Sequence, residues 1–160
     1  MNKTDLLQRI VQALEHDMDL LQRAAQTAYE AATAQENIAE NKYDTLGLEA
    51  SYLATGQARR AAEIRQALLA YRQLALRDYD PARGIQVSNL VVLEDLQGQQ
   101  RLLFLGPEGA GLKIGEGSGQ VTVITPRAPL GQALLGKRVD DEVSLVLAGA
   151  TQVHVVICAQ

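Results

Sequence analysis

Cysteine is almost missing from this sequence: Cys158, two residues from the C-terminus, is the only one, and His16 and His154 are the only histidines. Neither a disulfide framework nor a zinc cluster can be assembled from so few ligands. Cys158 is expected to be an ordinary buried or half-buried strand residue. Tryptophan is absent and Phe104 is the single phenylalanine, so aromatics that could stack on bases are few among the basic residues. Excess positive charge is missing too. The net charge of −4 argues against a generic phosphate-backbone binder and against strong binding of free nucleic acid. A protein partner is the better expectation. No apolar run approaches the ~20 residues of a membrane span, and charges interrupt the N-terminal MNKTDLLQRIVQALEHD. The expected location is cytoplasmic, with no membrane partner.

Proline is absent between Lys3 and Asp78, where glycine occurs only at Gly47 and Gly56. What fills this half is alanine, leucine, glutamine and charge, a helix-forming composition. Apolar residues recur at spacings of three and four through Leu7, Ile10, Leu14, Met18, Leu21, Ala25, Ala28 and Ala32. A second stripe runs through Leu46, Ala50, Leu53, Ala61, Ile64, Leu68, Tyr71 and Leu74, with Gln57 in line. Pairing the stripes head to tail matches Leu7 with Leu74, Ile10 with Tyr71, Leu14 with Leu68 and Ala32 with Ala50, and each pair of numbers adds to 81 or 82. A constant sum is what an antiparallel hairpin requires, and half of it puts the turn near Glu40 and Asn41. Large side chains near the chain ends give way to alanine beside the turn, so the tip is expected to be thin and the less stable half.

Beyond Asp80-Pro81 the pattern becomes β-like. Pro81 is read as the helix stop, which sets a boundary at residues 79–84 and two domains, 1–80 and 81–160. Candidate strands are 85–93, 100–105, 120–125, 143–147 and 152–157, with turns at 94–98 and 148–151. Residues 128–135 fit one short helix, with Pro129 in its first turn and Gly136 just past its end. The fold class is α+β: an N-terminal antiparallel coiled-coil helical hairpin followed by a small, mostly antiparallel β domain.

Two glycine-rich stretches invite phosphate chemistry and fail its requirements. GPEGAGLK, residues 106–113, lacks the Lys-Ser/Thr end of a phosphate loop, and no helix is expected after it. GEGSG, residues 115–119, lacks dinucleotide spacing. Both read as flexible surface loops. His154 falls in an alternating strand, where a structural role is the commoner one, and no self-contained active site is visible. The remaining constellation is acidic: Glu36, Glu40, Asp44 and Glu49 cluster at the hairpin turn with Lys42 as the only opposing charge. Arg59, Arg60, Arg65, Arg72 and Arg77 make the second helix basic beyond it. A charge run is usually a solvated face, but carboxylates at the end of a narrow rod can be delivered into a cavity and help hold a Mg²⁺.

The run ITPRAPLGQALLGKRVDDEV, residues 124–143, resembles the signature of the Gre transcript cleavage factors and their relatives, and NIAEN, residues 37–41, resembles that family's Asp-Leu-x-Glu-Asn tip motif. The second match falls where the pairing arithmetic puts the turn. The resemblance implies an FKBP-like C-terminal domain that docks on bacterial RNA polymerase, with Pro129, Leu130, Gly136 and Lys137 in the docking segment. It also implies that the hairpin enters the secondary channel, where Glu40, assisted by Asn37, Glu36 and Asp44, helps the polymerase active site retain Mg²⁺ and stimulates cleavage of backtracked RNA. On this reading the chain is no enzyme and has no cofactor of its own, and it meets nascent RNA only within the polymerase complex. Asn37 stands where the family has Asp, which halves the metal-retaining pair and leaves a non-cleaving channel occupant as an alternative. A peptidyl-prolyl isomerase and a structural coiled-coil adaptor are the readings from other classes. The first lacks aromatics, since Phe104 has no Tyr or Trp beside it after residue 80, and the second leaves the 129–137 segment unexplained.

Overall fold

The computed structural model describes the backbone of residues 1–36 and 45–160, and the side chains of these residues apart from 35–54 and 147. Helix α1, Lys3–Glu36, and helix α2, Thr45–Gln73, are the first two elements. Asn2 caps α1, its Oδ1 accepting the Thr4 amide at 2.8 Å and its carbonyl the Leu6 amide at 3.0 Å. The helices run antiparallel: Lys3 lies 3.8 Å from Asp78, and Glu15 pairs with Arg72 at 3.0 Å. Ile10, Leu14, Ile64, Leu68 and Tyr71 of the expected stripes are buried. Further along, Met18, Leu21, Ala25, Ala28 and Ala32 are only half-buried, so the seam thins away from the chain ends. The expected turn at Glu40 and Asn41 lies outside the described residues, as do the side chains of Leu46, Ala50 and Leu53.

The helical half ends earlier than Pro81 suggests. Helix α2 stops at Gln73 because the chain after it is captured elsewhere: Ser88 Oγ accepts the Arg77 amide at 2.9 Å and Asn89 Nδ2 donates to the Arg77 carbonyl at 3.2 Å. Lys3 Nζ also donates to that carbonyl. The same two residues shorten the first strand, which begins at Leu90 rather than residue 85. Ser88 adopts a φ of +81°, which no strand accommodates.

Strands β1, Leu90–Asp95, β2, Gln100–Leu105, β3, Lys113–Ile114, β4, Val121–Ile124, β5, Glu142–Leu147, and β6, Ala150–Ala159, form one sheet in the order β3-β4-β2-β1-β6-β5. Every neighbouring pair is antiparallel except β2 with β4. The two-residue β3 escapes sequence reading, and β1 continues through Asp95 into what reads as loop. Asp95 Oδ1 accepts the amides of Gln97 and Gln99 at 2.9 Å each and closes that turn within residues 96–99. Ala148 and Gly149, both at positive φ, make the tight β5–β6 turn.

Both faces of the sheet are covered, which is why Leu90-Val91 of β1 and Leu102–Leu105 of β2 are apolar without alternation. On one face Leu90, Phe104, Ile114, Val121 and Val123 share a core with Leu6, Ile10, Leu14, Ile64 and Tyr71 of the hairpin base. On the other, Val91, Leu93, Leu103, Leu105, Ile124, Val143 and Val156 enclose Ile85 and Leu134. Leu6 lies off the helix–helix stripe yet is fully buried in the core shared with the sheet. Cys158 is exposed, contrary to expectation. A register shift between Val92 and Leu93 pairs Cys158 with Val92 but Val156 with Leu93, which turns the cysteine away from the face that buries Val156.

Candidate functional site

The 129–137 segment is organised by a six-residue helix, α3, Pro129–Leu134. Pro129 suits the first turn, where its missing amide costs nothing. Gly131 is required by contact: a Cβ there would lie 1.9 Å from the Thr125 carbonyl oxygen, so the helix start is pressed onto that main chain. Leu134 is fully buried in the core beneath, and Leu130 packs against the same cluster. Leu135, by contrast, is 38% exposed. It follows the last helical residue, and the chain turns outward there before Gly136 at a φ of +77°.

Gly136 and Lys137 then bond back to Ile85, the Gly136 amide donating to Ile85 O at 2.9 Å and the Ile85 amide to Lys137 O at 2.8 Å. Within the 124–143 run Asp141 has a local duty, as its Oδ2 accepts the Arg138 amide at 2.8 Å. Of the four expected docking residues, Pro129 and Gly136 are exposed while Leu130 and Lys137 are half-buried. Leu135 adds the exposed apolar side chain that sequence reasoning missed. Its signal was available, because a helix of this length offers its inner face to Leu130 and Leu134 and leaves the next leucine without a place there.

Around GPEGAGLK the structure corrects the expectation of a flexible loop. Gly106 is buried, a Cβ on it would lie 2.1 Å from Tyr71 Oη, and that hydroxyl donates to the Glu108 carbonyl at 2.6 Å. The Gly106 amide donates to Ile124 O at 2.8 Å and the Gly111 amide to Val123 O at 2.9 Å. Burial first, and then the Glu108 charge, push the Tyr71 phenol far above its ordinary value. Strand β3 follows this loop, so the helix that a phosphate loop runs into does not follow it. A cavity of about 530 Å³ opens between the loop and α2, floored by Leu14, Ile64, Ala67 and Leu112 with Arg60 and Glu63 on its rim. GEGSG contains a 3-10 turn, Gly117–Gly119, and is exposed.

Asn37, Glu40, Asn41, Lys42 and Asp44 lie outside the described residues, as do the side chains of Glu36 and Glu49, so the expected metal-retaining carboxylate at Glu40 has no described geometry. Among the described residues no group of three or more His, Cys, Asp or Glu could share a metal ion. The arginines at 59, 60, 65, 72 and 77 are all exposed on α2 or just after it. Arg60 reaches Glu63 at 3.4 Å, and Arg72 reaches Glu15. Among the described residues no helix is long and apolar enough to cross a membrane.

No known family profile and no curated protein matches the chain. Among solved structures it is similar to Gfh1 of Thermus aquaticus, at 22% identity and a TM-score of 0.40 over 92% of each chain. It is also similar to GreA factor homolog 1 (Gfh1) of Thermus thermophilus, at 17% identity and a TM-score of 0.38 over 94% of each chain. A third is the transcription elongation factor GreA/GreB of Nitrosomonas europaea, at 19% identity and a TM-score of 0.39 over 60% of this chain and 78% of that one.

Proposed function

We propose that this chain is a transcription regulator that docks on bacterial RNA polymerase through the α3 segment and sends its hairpin into the secondary channel. The observation that carries the reading is the division of labour across one sheet. On one face stands a helical pair, with α1 about 50 Å long by its 34 residues, and among the described residues its fully buried side chains lie no further along α1 than Leu14. On the other face the family-like α3 segment leaves Pro129 and Leu135 exposed. A grip and a probe on opposite faces suit a protein that acts inside its partner, in the cytoplasm, with Mg²⁺ supplied by the polymerase site. Asn37 in place of the family Asp favours a second form of this reading, a channel occupant that modulates transcription without cleavage. An isomerase pocket is disfavoured, because Phe104 is fully buried in the core shared with the hairpin base.

The test is binding of the full chain to polymerase. Leu135→Asp should weaken it about tenfold or more, the scale of an interface anchor. Leu96→Asp, at a residue 79% exposed in the β1–β2 turn, should leave it unchanged. Equal binding by native chain and Leu135→Asp would remove α3 from the docking surface.

A further inference from the structure

Gln66, on the hairpin, and Arg127, two residues before α3, both reach Glu108. Its carboxylate meets Arg127 Nη2 at 2.7 Å and Gln66 Nε2 at 3.5 Å, while its carbonyl accepts the buried Tyr71 hydroxyl at 2.6 Å. The loop that carries Glu108 leaves the end of β2, Arg127 follows the end of β4, and these two strands pair in parallel, so both segments emerge side by side. Neither is free to drift. Gly106 is bonded to Ile124, and a Cβ at Gly131 would strike Thr125, which joins Arg127 rigidly to the first turn of α3. Among the described residues the hairpin, by contrast, is fully buried only at its base, and the cavity of about 530 Å³ lies between α2 and this loop.

We propose that Glu108 is a positioning residue that sets the direction of the hairpin relative to the docking segment, by holding Gln66 and Tyr71 of α2 on one side and Arg127 on the other. This rests on the reading that α3 grips and the hairpin probes. A rod tens of ångströms long turns a small tilt at its base into a large displacement at its tip. The base contact therefore decides whether the far end of the helical pair arrives at one place or many. Glu108 and Arg127 form an ion pair in which the carboxylate side chain is 20% exposed and the arginine side chain 69% exposed.

The experiment places spin labels at Gln22 on α1 and Leu96 in the β1–β2 turn of the full chain carrying Cys158→Ser, and measures their distance distribution without polymerase. The native chain should give one narrow distribution. Glu108→Ala and Arg127→Ala should each broaden it by about twofold or more as added orientations become populated, with helix content and cooperative melting retained. Glu108→Gln, which keeps the size and the backbone acceptor, serves if Glu108→Ala fails to fold. The charge-swapped pair Glu108→Arg with Arg127→Glu should recover most of the native narrowness, a rescue that a merely structural loop would not give. An unchanged distribution in Glu108→Ala and Glu108→Gln overturns the proposal, as does a charge-swapped pair no narrower than either single exchange. Polymerase affinity of the native chain is measured alongside. Its absence sinks the docking reading while the distance result still decides the role of Glu108.

Discussion

Tyr71 is the residue on which the two halves of the chain meet. Its ring lies in the core shared by hairpin and sheet, and its hydroxyl closes the 106–111 loop. Because the folded state holds the phenol protonated, with a pKa raised by burial and by Glu108, folding binds a proton that the unfolded chain gives up near its ordinary value of ~10. This contribution is fully present below about pH 10 and is lost as pH rises beyond it, with a slope that approaches about 1.4 kcal/mol per pH unit. Urea unfolding across that range should show the loss in the native chain and a shallower one in Tyr71→Phe. An identical slope would mean that the phenol is not held this way. Gly131 gives a second residue-scale expectation. Gly131→Ala should cost about 1–3 kcal/mol, since the clash is with main chain that cannot move cheaply. The glycines at 106 and 131 were visible in the sequence, but their reasons were not. One faces a tyrosine thirty-five residues earlier, and the other faces a carbonyl six residues back that becomes a neighbour only when α3 folds onto the sheet.

At the scale of elements, what repeats was legible and what is captured from a distance was not. The helices declared themselves because the seam repeats every three or four residues, and α3 because Pro129 and Gly136 punctuate it. The end of α2 and the start of β1 were misplaced for one shared reason, the hold of Ser88 and Asn89 on Arg77. Those two polar residues inside an otherwise apolar run were the available signal. Ser88→Ala strands the Arg77 amide in a partly buried position and should cost about 1–3 kcal/mol in unfolding free energy. For α3, Leu134→Ala should cost about 2–5 kcal/mol, as truncation of a fully buried leucine does. Leu135→Ala should change stability by less than about 0.5 kcal/mol, as surface exchanges do, and show itself in polymerase affinity instead. Equal destabilisation by the two would mean that Leu135 is a core residue.

For the whole molecule, the sequence boundary near residue 80 does not divide the core. Leu90, Phe104, Ile114, Val121 and Val123 are covered together with residues of the hairpin base, so a fragment of residues 81–160 would bare that face. The docking claim is better tested with the full chain. The Glu108 contacts depend on three distant segments and had no local pattern to give them away, whereas the tip expected from the seam arithmetic and the Glu40-Asn41 match lies outside the described residues. The central claim joins grip to tip, and a reconstituted backtracked polymerase complex tests both when factor affinity and RNA output are read together. The account predicts that Glu40→Gln binds as the native chain does while its effect on the transcript falls, as cleavage where cleavage is stimulated and as pausing or yield where it is not. Where cleavage is stimulated, Asn37→Asp should raise it, most strongly when Mg²⁺ is scarce. Failure of the native chain to bind polymerase would contradict the account, as would undiminished activity in Glu40→Gln, Glu36→Gln and Asp44→Asn alike.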